Sequence, residues 1–223
     1  IETGAMMGVL MEAGLASFGD VDFLHGVIDE IRKGSEQGQL WAEGTGRVGK
    51  HYEVKRVPVI KNQGISAYDP RVIEVTGISM MLTAQGADHT TGNVPKFECG
   101  GKDIDELVDA SMEMQVVCAT ADSLGLCVFG RSVTNANIEM IVGLINDATG
   151  AALTPSFFMD IGKETLLLEA RFNKEAGFQV DDDELPDFFY TDPLVPTDKV
   201  ARFRAPEVNK SAERWWKKQT VRA

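Results

Sequence analysis

The stretch DIDELVDASMEMQVVCATADSLGLC, residues 103–127, decides the expected fold of this 223-residue chain. Asp103 is typical of a helix N-cap, and the residues after it are apolar at helical spacing. The apolar positions are 104, 107, 108, 112, 116 and 117. This pattern predicts a long helix from Asp103 to about Ala121, followed by a break over 125–132.

Helical periodicity also dominates the chain on both sides of this stretch. Apolar stripes together with start and stop signals predict further helices over residues 1–17, 20–34, 36–43, 69–84, 137–148, 154–174 and 207–219. Residues 52–60 alternate loosely and suggest a strand, which Pro58 would confine to a sheet edge. We expect residues 178–206 to be irregular, and the predicted fold class is mainly α with little β.

Residues 44–50, GTGRVGK, match the pattern G-x-G-x-x-G and nearly match a phosphate-binding P-loop. Both motifs work only where a strand leads through a tight turn into a helix, so that backbone N–H groups face phosphate. The segment before Gly44 has a helical pattern, and no βαβ unit surrounds it. We therefore interpret these residues as a helix stop followed by a loop that includes His51.

Composition excludes several classes of function. The chain has 22 basic and 34 acidic residues, a net charge of −12, which disfavours nucleic-acid binding. Only residues 193–223 are basic, with 8 basic against 3 acidic residues. No apolar stretch reaches the ~20 residues of a membrane span. Three cysteines without a C-x-x-C pair predict no disulfide scaffold and no zinc site, and they fit a reducing, cytoplasmic location.

Two short segments directly after predicted helix ends carry candidate functional groups: 86–89 (GADH) and 122–127 (DSLGLC). Asp122 can accept hydrogen bonds from ring N–H groups of a ligand, and Gly125 allows close backbone approach. The thiolate of Cys127 can ligate iron. On composition alone, a capping Asp, a turn Gly and a buried Cys are the commoner explanation.

Six segments occur in a fixed order along the chain: GQLWAEG (38–44), AYDPR (67–71), GADH (86–89), DSLGLC (122–127), EARFNKEAG (169–177) and DDDELP (181–186). Together they resemble the tungsten-containing aldehyde:ferredoxin oxidoreductase family, in the C-terminal portion of its catalytic subunit. The resemblance covers residues from about 1 to 187. Six ordered landmarks are far more specific than any single one.

This resemblance implies helical C-terminal domains of that family's type. Residues 1–58 would be the end of the middle helical domain, and 59–223 a C-terminal helical domain with an irregular basic tail from about 193. It also implies a tungsten (or molybdenum) ion held by two pterins, beside a [4Fe–4S] cluster. Members oxidise an aldehyde to a carboxylic acid and pass the electrons through the cluster to ferredoxin.

The resemblance also implies roles for individual residues. His89 would be the catalytic group near the metal, since a histidine titrates close to neutral pH. Asp122 would hydrogen-bond a pterin, with Gly125 and the backbone of Leu126 alongside it. Cys127 would be both cofactor-binding and metal-ligating, as one of four cluster thiolates.

Departures from the family limit what this chain could do alone. The family's pterin-binding β-domain and three other cluster cysteines have no counterpart here. We therefore expect an incomplete, inactive part of an enzyme that needs a missing N-terminal domain or partner subunit. Thr91 stands where a basic residue is frequent, and Gln85 where arginine is common.

Two alternatives stay open. One is a tungsten-dependent subunit that reduces acyl-CoA esters, and the other is a cofactor-free helical scaffold subunit. The enzyme hypothesis predicts that His89 and Cys127 open towards one shared cavity. It also predicts a large exposed apolar surface.

Overall fold

The computed structural model describes residues 1–220. Over these residues the chain forms eleven α-helices and one two-stranded sheet, so the predicted mainly α fold class is confirmed. The elements are α1 Glu2–Glu12, α2 Val21–Lys33, α3 Glu36–Ala42, α4 Thr45–His51, β1 Val59–Ile60, β2 Gln63–Gly64, α5 Glu74–Leu82, α6 Ile104–Ser123, α7 Arg131–Ala136, α8 Ile138–Thr149, α9 Phe157–Ala176, α10 Phe188–Thr191 and α11 Ala205–Thr220.

The buried apolar side chains form two clusters. The first joins α1, α2, α3 and α4, and its members lie between Met6 and Val57. The second is centred on α5, α6 and α11, and its members lie between Ile60 and Trp216. Glu2 links the two regions, because its carboxylate accepts hydrogen bonds from the backbone N–H groups of Thr45 and Gly64, each at 2.6 Å. The division of the chain into two domains near residue 58 stays a prediction.

Helix α6 is the central helix of the second cluster. Asp103 accepts from the N–H of Glu106, and the Glu106 side chain accepts from the N–H of Asp103, which completes a capping box. Helices α5, α9 and α11 all pack against α6. The predicted helix over 103–121 is therefore confirmed, with its C-terminus two residues later.

The glycine-rich segment 44–50 forms α4, so the expected loop is wrong, and His51 is the last residue of that helix. Helix α3, not a strand, precedes it. Its glycines serve close packing: a Cβ at Gly49 would lie 2.4 Å from a methyl group of Val57. Because no strand feeds this segment, the two phosphate-motif matches are coincidental.

The predicted helix start at Asp69-Pro70 is also wrong, since α5 begins at Glu74. The Asp69 carboxylate accepts from the backbone N–H of Arg71 and from its guanidinium, with distances of 2.6 to 2.9 Å. The same guanidinium donates to the carbonyl oxygen of Asp192 at 2.7 Å. These contacts hold residues 69–71 as a turn. The Asp69 carboxylate binds Arg71, two residues later, and therefore does not cap a helix.

The expected irregular basic tail from about 193 is wrong over 205–220, where α11 forms as the pattern over 207–219 predicts. Trp215 is 3% exposed and anchors this helix in the core. Arg214 pairs with Asp105 of α6, and Lys218 lies 3.3 Å from Asp109. The basic end of the chain therefore packs on an acidic face of α6. Residues 221–223 of the expected tail lie outside the described residues.

No single helix within residues 1–220 is both long and apolar enough to cross a membrane. One pair passes the same test of length and composition, α6 with residues 128–136, but the two parts are bent by 119°.

Candidate functional site

The GADH segment follows α5 and is held in place by close backbone contacts. Gly86 has φ +84°, and a Cβ there would lie 3.0 Å from the carbonyl oxygen of Ile60. Only glycine meets both conditions without strain. The Asn173 side chain of α9 donates to the carbonyl oxygen of Ala84 at 2.8 Å. The segment before His89 is thus fixed to α9 as well as to the β1–β2 region.

A buried polar network fixes the other end of this segment. Ser79 Oγ lies 3.0 Å from the carbonyl oxygen of Gly92 and 2.8 Å from Ser111 Oγ, and Gln115 Nε2 donates to that Ser111 hydroxyl at 3.0 Å. A Cβ at Gly92 would lie 2.8 Å from both Ser79 and Gln115 side chains. Residues 86–92 are therefore clamped between α5 and α6, and His89 stands on a fixed loop.

His89 stacks on Tyr68, with ring centroids 5.1 Å apart and ring planes at 22°. Its Nδ1 atom is buried and has no hydrogen-bond partner among the described residues. The nearest carboxylate oxygen, Oδ1 of Asp88, is 3.7 Å away, which is too long for a hydrogen bond. About a quarter of the His89 side chain, 26%, is exposed. One edge of the ring is therefore enclosed while part of it stays available to a ligand.

Asp88 is held by its own turn. Its carboxylate accepts from the backbone N–H of Thr90 at 2.9 Å and from the Thr90 hydroxyl at 2.5 Å. These two bonds keep the charge beside the His89 ring.

Tyr68 is a site residue that sequence reasoning did not single out. Its segment AYDPR (67–71) is only a landmark in the sequence, and no local pattern there points towards His89. The stacking joins residues 21 positions apart, so only the packing of the two loops shows it.

The second segment begins where α6 ends. Leu126 N–H donates to the carbonyl oxygen of Ala121 at 2.7 Å, and Gly125 N–H donates to that of Asp122 at 3.1 Å. Gly125 has φ +66°, so these bonds form a Schellman motif with glycine at its left-handed position. The motif places Asp122 in the last turn of α6 and Cys127 directly after the helix. Both residues are exposed, although the surrounding residues partly shield the Asp122 carboxylate from solvent.

Charged groups of the two segments interact with each other. Partial burial raises the pKa of Asp122, and the nearby negative charge of Asp88 raises it further. Burial also raises the pKa of Glu169 on α9, with the charge of Asp122 adding to the effect. Within residues 1–220 no hydrogen-bond donor contacts the carboxylate of Asp122 or of Glu169. The site thus contains carboxylates that lack a partner of opposite charge.

The third carboxylate, Glu169, was not predicted as a site residue. It belongs to the EARFNKEAG segment, which served only as a landmark in the sequence. Cys118, one turn before Asp122 on α6, is 3% exposed, and burial raises the pKa of its thiol. It is therefore a buried structural cysteine.

The expected shared cavity is not found in the two large cavities of the described residues. One cavity of about 470 Å³ lies between α5, α6, α9 and α11. Another of about 560 Å³ lies between α1, residues 56–71 and residues 188–189. Neither is lined by His89 or Cys127. Residues 1–220 also contain no group of three or more metal-ligating side chains.

Large apolar side chains are exposed on α7, α8, α9 and the turn before them, and the one large surface that the enzyme hypothesis expects stays a prediction. Each of seven large apolar side chains there is more than half exposed: Phe129, Val133, Met140, Leu144, Leu167, Leu168 and Phe172. Phe129, only two residues after Cys127, is 93% exposed. Where such side chains join into one patch, exposed apolar surface is typical of an interaction site.

Comparison with known proteins gives a consistent result. The family model for "Aldehyde ferredoxin oxidoreductase, domains 2 & 3" matches residues 1–219. A tungsten-containing aldehyde ferredoxin oxidoreductase of Pyrococcus furiosus is 28% identical over 187 residues, which cover 79% of this chain and 31% of that protein. The protein of the same name from Pyrococcus horikoshii is also 28% identical over 187 residues, 79% of this chain and 30% of its own length. The chain thus spans about a third of the length of these relatives.

Proposed function

The chain belongs to the aldehyde ferredoxin oxidoreductase family, and we propose that it forms the helical part of an enzyme that oxidises an aldehyde to a carboxylic acid. The observation that carries this proposal is the end of α6. There a Schellman motif displays Asp122 and Cys127 together, beside the loop that carries Asp88 and His89.

The donor set fits the cofactors that the family implies. Cys127 is an exposed thiol, which can become one thiolate ligand of an iron–sulfur cluster. Asp122 is an exposed acceptor with no donor among residues 1–220, as a residue that hydrogen-bonds a pterin ring requires. We propose that Gly125 and Leu126 pass beside the pterin, since a Cβ at Gly125 would meet nothing within 4 Å. When bound, the tungsten pterin supplies the two-electron redox chemistry.

In the proposed reaction, an aldehyde and water give a carboxylic acid, two electrons and two protons. A [4Fe–4S] cluster, with Cys127 as one of its ligands, would supply the path by which these electrons pass to ferredoxin. His89 takes up or returns a proton at Nε2, while Tyr68 fixes the ring plane and the buried Nδ1 edge faces Asp88. A positioned imidazole is suited to this work because one ring nitrogen can carry a proton while the other accepts one.

We propose that a region beyond this chain completes the site. One cysteine cannot hold a cluster that needs four thiolates. Phe129, which is 93% exposed and follows Cys127 by two residues, fits contact with that region. It would bring the remaining cluster ligands and the rest of the pterin site.

The test is metal analysis of the natively purified protein and of two cysteine variants, with mass spectrometry of everything that copurifies. We expect tungsten with about four irons per site, following the family's cofactors. Cys127→Ala should lose most of the iron and its low-temperature electron paramagnetic resonance signal. Cys99→Ala is the matched control, since the Cys99 thiol is half-buried and lies 3.4 Å from the carbonyl oxygen of Phe97.

Two outcomes would contradict the proposal. A folded protein that carries no metal even together with the region that completes the site would favour the cofactor-free scaffold. A loaded protein that reduces an aromatic acyl-CoA ester, and does not oxidise aldehydes with a viologen acceptor, would favour the acyl-CoA reductase type.

A further inference from the structure

The cavity of about 470 Å³ between α5, α6, α9 and α11, here called the α9 cavity, is separate from His89 and Cys127. Its volume falls within the roughly 300–1,000 Å³ typical of small-molecule sites. Helix α9 forms one wall with Leu166, Glu169 and Asn173. Helix α11 forms the facing wall with Ala212 and Trp216.

The walls of the α9 cavity are mainly apolar. Its apolar side chains come from five separate segments of the chain and are Leu82, Met112, Leu166, Phe178, Val180 and Trp216. Trp216 packs edge-to-face on Trp215, with ring centroids 4.8 Å apart, so its indole stands in a fixed orientation. Such walls suit the apolar body of a ligand, and aromatic faces also attract cations.

Most of the charge inside the α9 cavity is already neutralised. Lys61, whose side chain is 6% exposed, forms an ion pair with Asp183 and donates to the carbonyl oxygen of Met81 at 3.0 Å. Asp183 also accepts from Asn209 at 2.9 Å. These groups therefore have their partners within the protein and are not available to a ligand.

Glu169 is the exception. Its carboxylate lines the cavity, and no donor among residues 1–220 contacts it. Burial raises its pKa, and the charge of Asp122 raises it further, so the charged carboxylate lacks stabilisation. At the cavity wall the remaining charges, Lys174 and Glu213, have opposite signs. The lining therefore carries a net charge of −1, located on Glu169.

We propose that the α9 cavity binds a small organic cation, a primary ammonium attached to an apolar body, with Glu169 accepting from the ammonium. The ammonium satisfies a carboxylate that has no partner in the chain. The apolar body fills the space between Leu166, Phe178 and Trp216. This site does not depend on the oxidoreductase activity proposed above.

The experiment is calorimetric titration of the natively purified protein with 2-phenylethylamine as the probe. The matched neutral probe is 2-phenylethanol, which keeps the apolar body and lacks the charge. We expect the amine to bind at least 10-fold more tightly than the alcohol, since hydrogen bonds between charged groups are worth roughly 1.5–3 kcal/mol, or ~10–100-fold in affinity. Quenching of tryptophan fluorescence, to which Trp216 in the cavity wall contributes, should follow the same binding curve.

Two variants locate the binding. Glu169→Gln should weaken amine binding by roughly 10-fold or more. Glu164 is an exposed carboxylate on α9 that does not line the cavity, so Glu164→Gln should leave amine binding unchanged. Ala170→Leu fills the cavity from an exposed position without changing charge, and it should weaken both probes.

Equal affinities for amine and alcohol would overturn the proposal, as would amine binding that Glu169→Gln leaves intact. An absence of amine binding at millimolar concentration would overturn it as well. Tungsten and iron contents are measured on every variant. A loss of metal would reveal an effect on the Asp122 site, and the Ala170→Leu result then decides whether the amine occupies the cavity.

Discussion

Substitution of Gly162 by alanine should push apart α6 and α9, the two longest helices of the described residues, and so destabilise the protein. Gly162 lies on α9 where it crosses α6, and a Cβ there would be 2.3 Å from the carbonyl oxygen of Val116 and 2.4 Å from Thr120 Oγ1. Ordinary contacts begin at 3.4 Å, so the helices would have to move apart by about 1 Å. The backbone oxygen cannot rotate away, unlike the end of a flexible side chain.

The magnitude follows from three terms. Overpacking of this kind costs about 1–3 kcal/mol. The Thr120 hydroxyl lies 2.6 Å from the carbonyl oxygen of Phe158 on α9, and losing this hydrogen bond between helices costs about 1 kcal/mol more. The better helix propensity of alanine returns about 1 kcal/mol. We therefore expect Gly162→Ala to lower the free energy of unfolding by about 1–3 kcal/mol.

The measurement is urea unfolding followed by circular dichroism at 222 nm, where this loss corresponds to a midpoint lower by roughly 1 M. Gly143→Ala on α8 is the matched control, because a Cβ there meets nothing within 4 Å. It should raise the free energy of unfolding by about 0.5–1 kcal/mol. If Gly162→Ala also stabilised the protein, the close crossing of α6 and α9 would be refuted.

Two further predictions concern the first cluster and the end of α6. Burial alone would raise the pKa of Glu2, but its hydrogen bonds from Thr45 and Gly64 lower it below the usual 4.5. This carboxylate therefore stabilises the fold above that pH, and the contribution is lost as the pH falls through the lowered pKa. Glu2→Gln should be less stable than the native protein at pH 7, with a difference that shrinks below about pH 4.5 in thermal denaturation; a constant difference would contradict the assignment. Gly125→Ala should cost about 1 kcal/mol, because its left-handed conformation disfavours a side chain and no contact is gained. Thermal denaturation and iron content measure the effect, and an unchanged melting temperature would contradict the Schellman motif.

The sequence predicted the helical elements where their signals are local. The capping box at Asp103, the cap at Asp20 and the left-handed glycines at 34, 150 and 177 all form as helix start and stop signals indicate. The same holds for the end of α6, where Gly125 and Cys127 follow Asp122 within a few residues. A motif of this kind is formed by hydrogen bonds between near neighbours, so the order of residues is sufficient to specify it.

The sequence-based predictions were wrong where a residue distant in the sequence changed the local structure. Asp69 turns towards Arg71, whose guanidinium is itself held by the backbone of Asp192, so the expected helix start is lost. The glycines of 44–50 form a helix, because Val57 packs closely against that helix at Gly49. Such contacts cannot be predicted from local propensity, because the contacting residue lies elsewhere in the chain.

By itself, then, the sequence determined the mainly α class, the ends of most helices, and His89, Asp122 and Cys127 as site candidates. The tertiary structure alone decided what surrounds them. Tyr68 stacks on His89, Glu169 from α9 lies near Asp122, and the basic α11 covers the acidic face of α6. The physical reason is that helix caps and turns depend on neighbouring residues. A ring stack, a carboxylate left without a partner or a cavity depends on how helices pack, which no local pattern encodes.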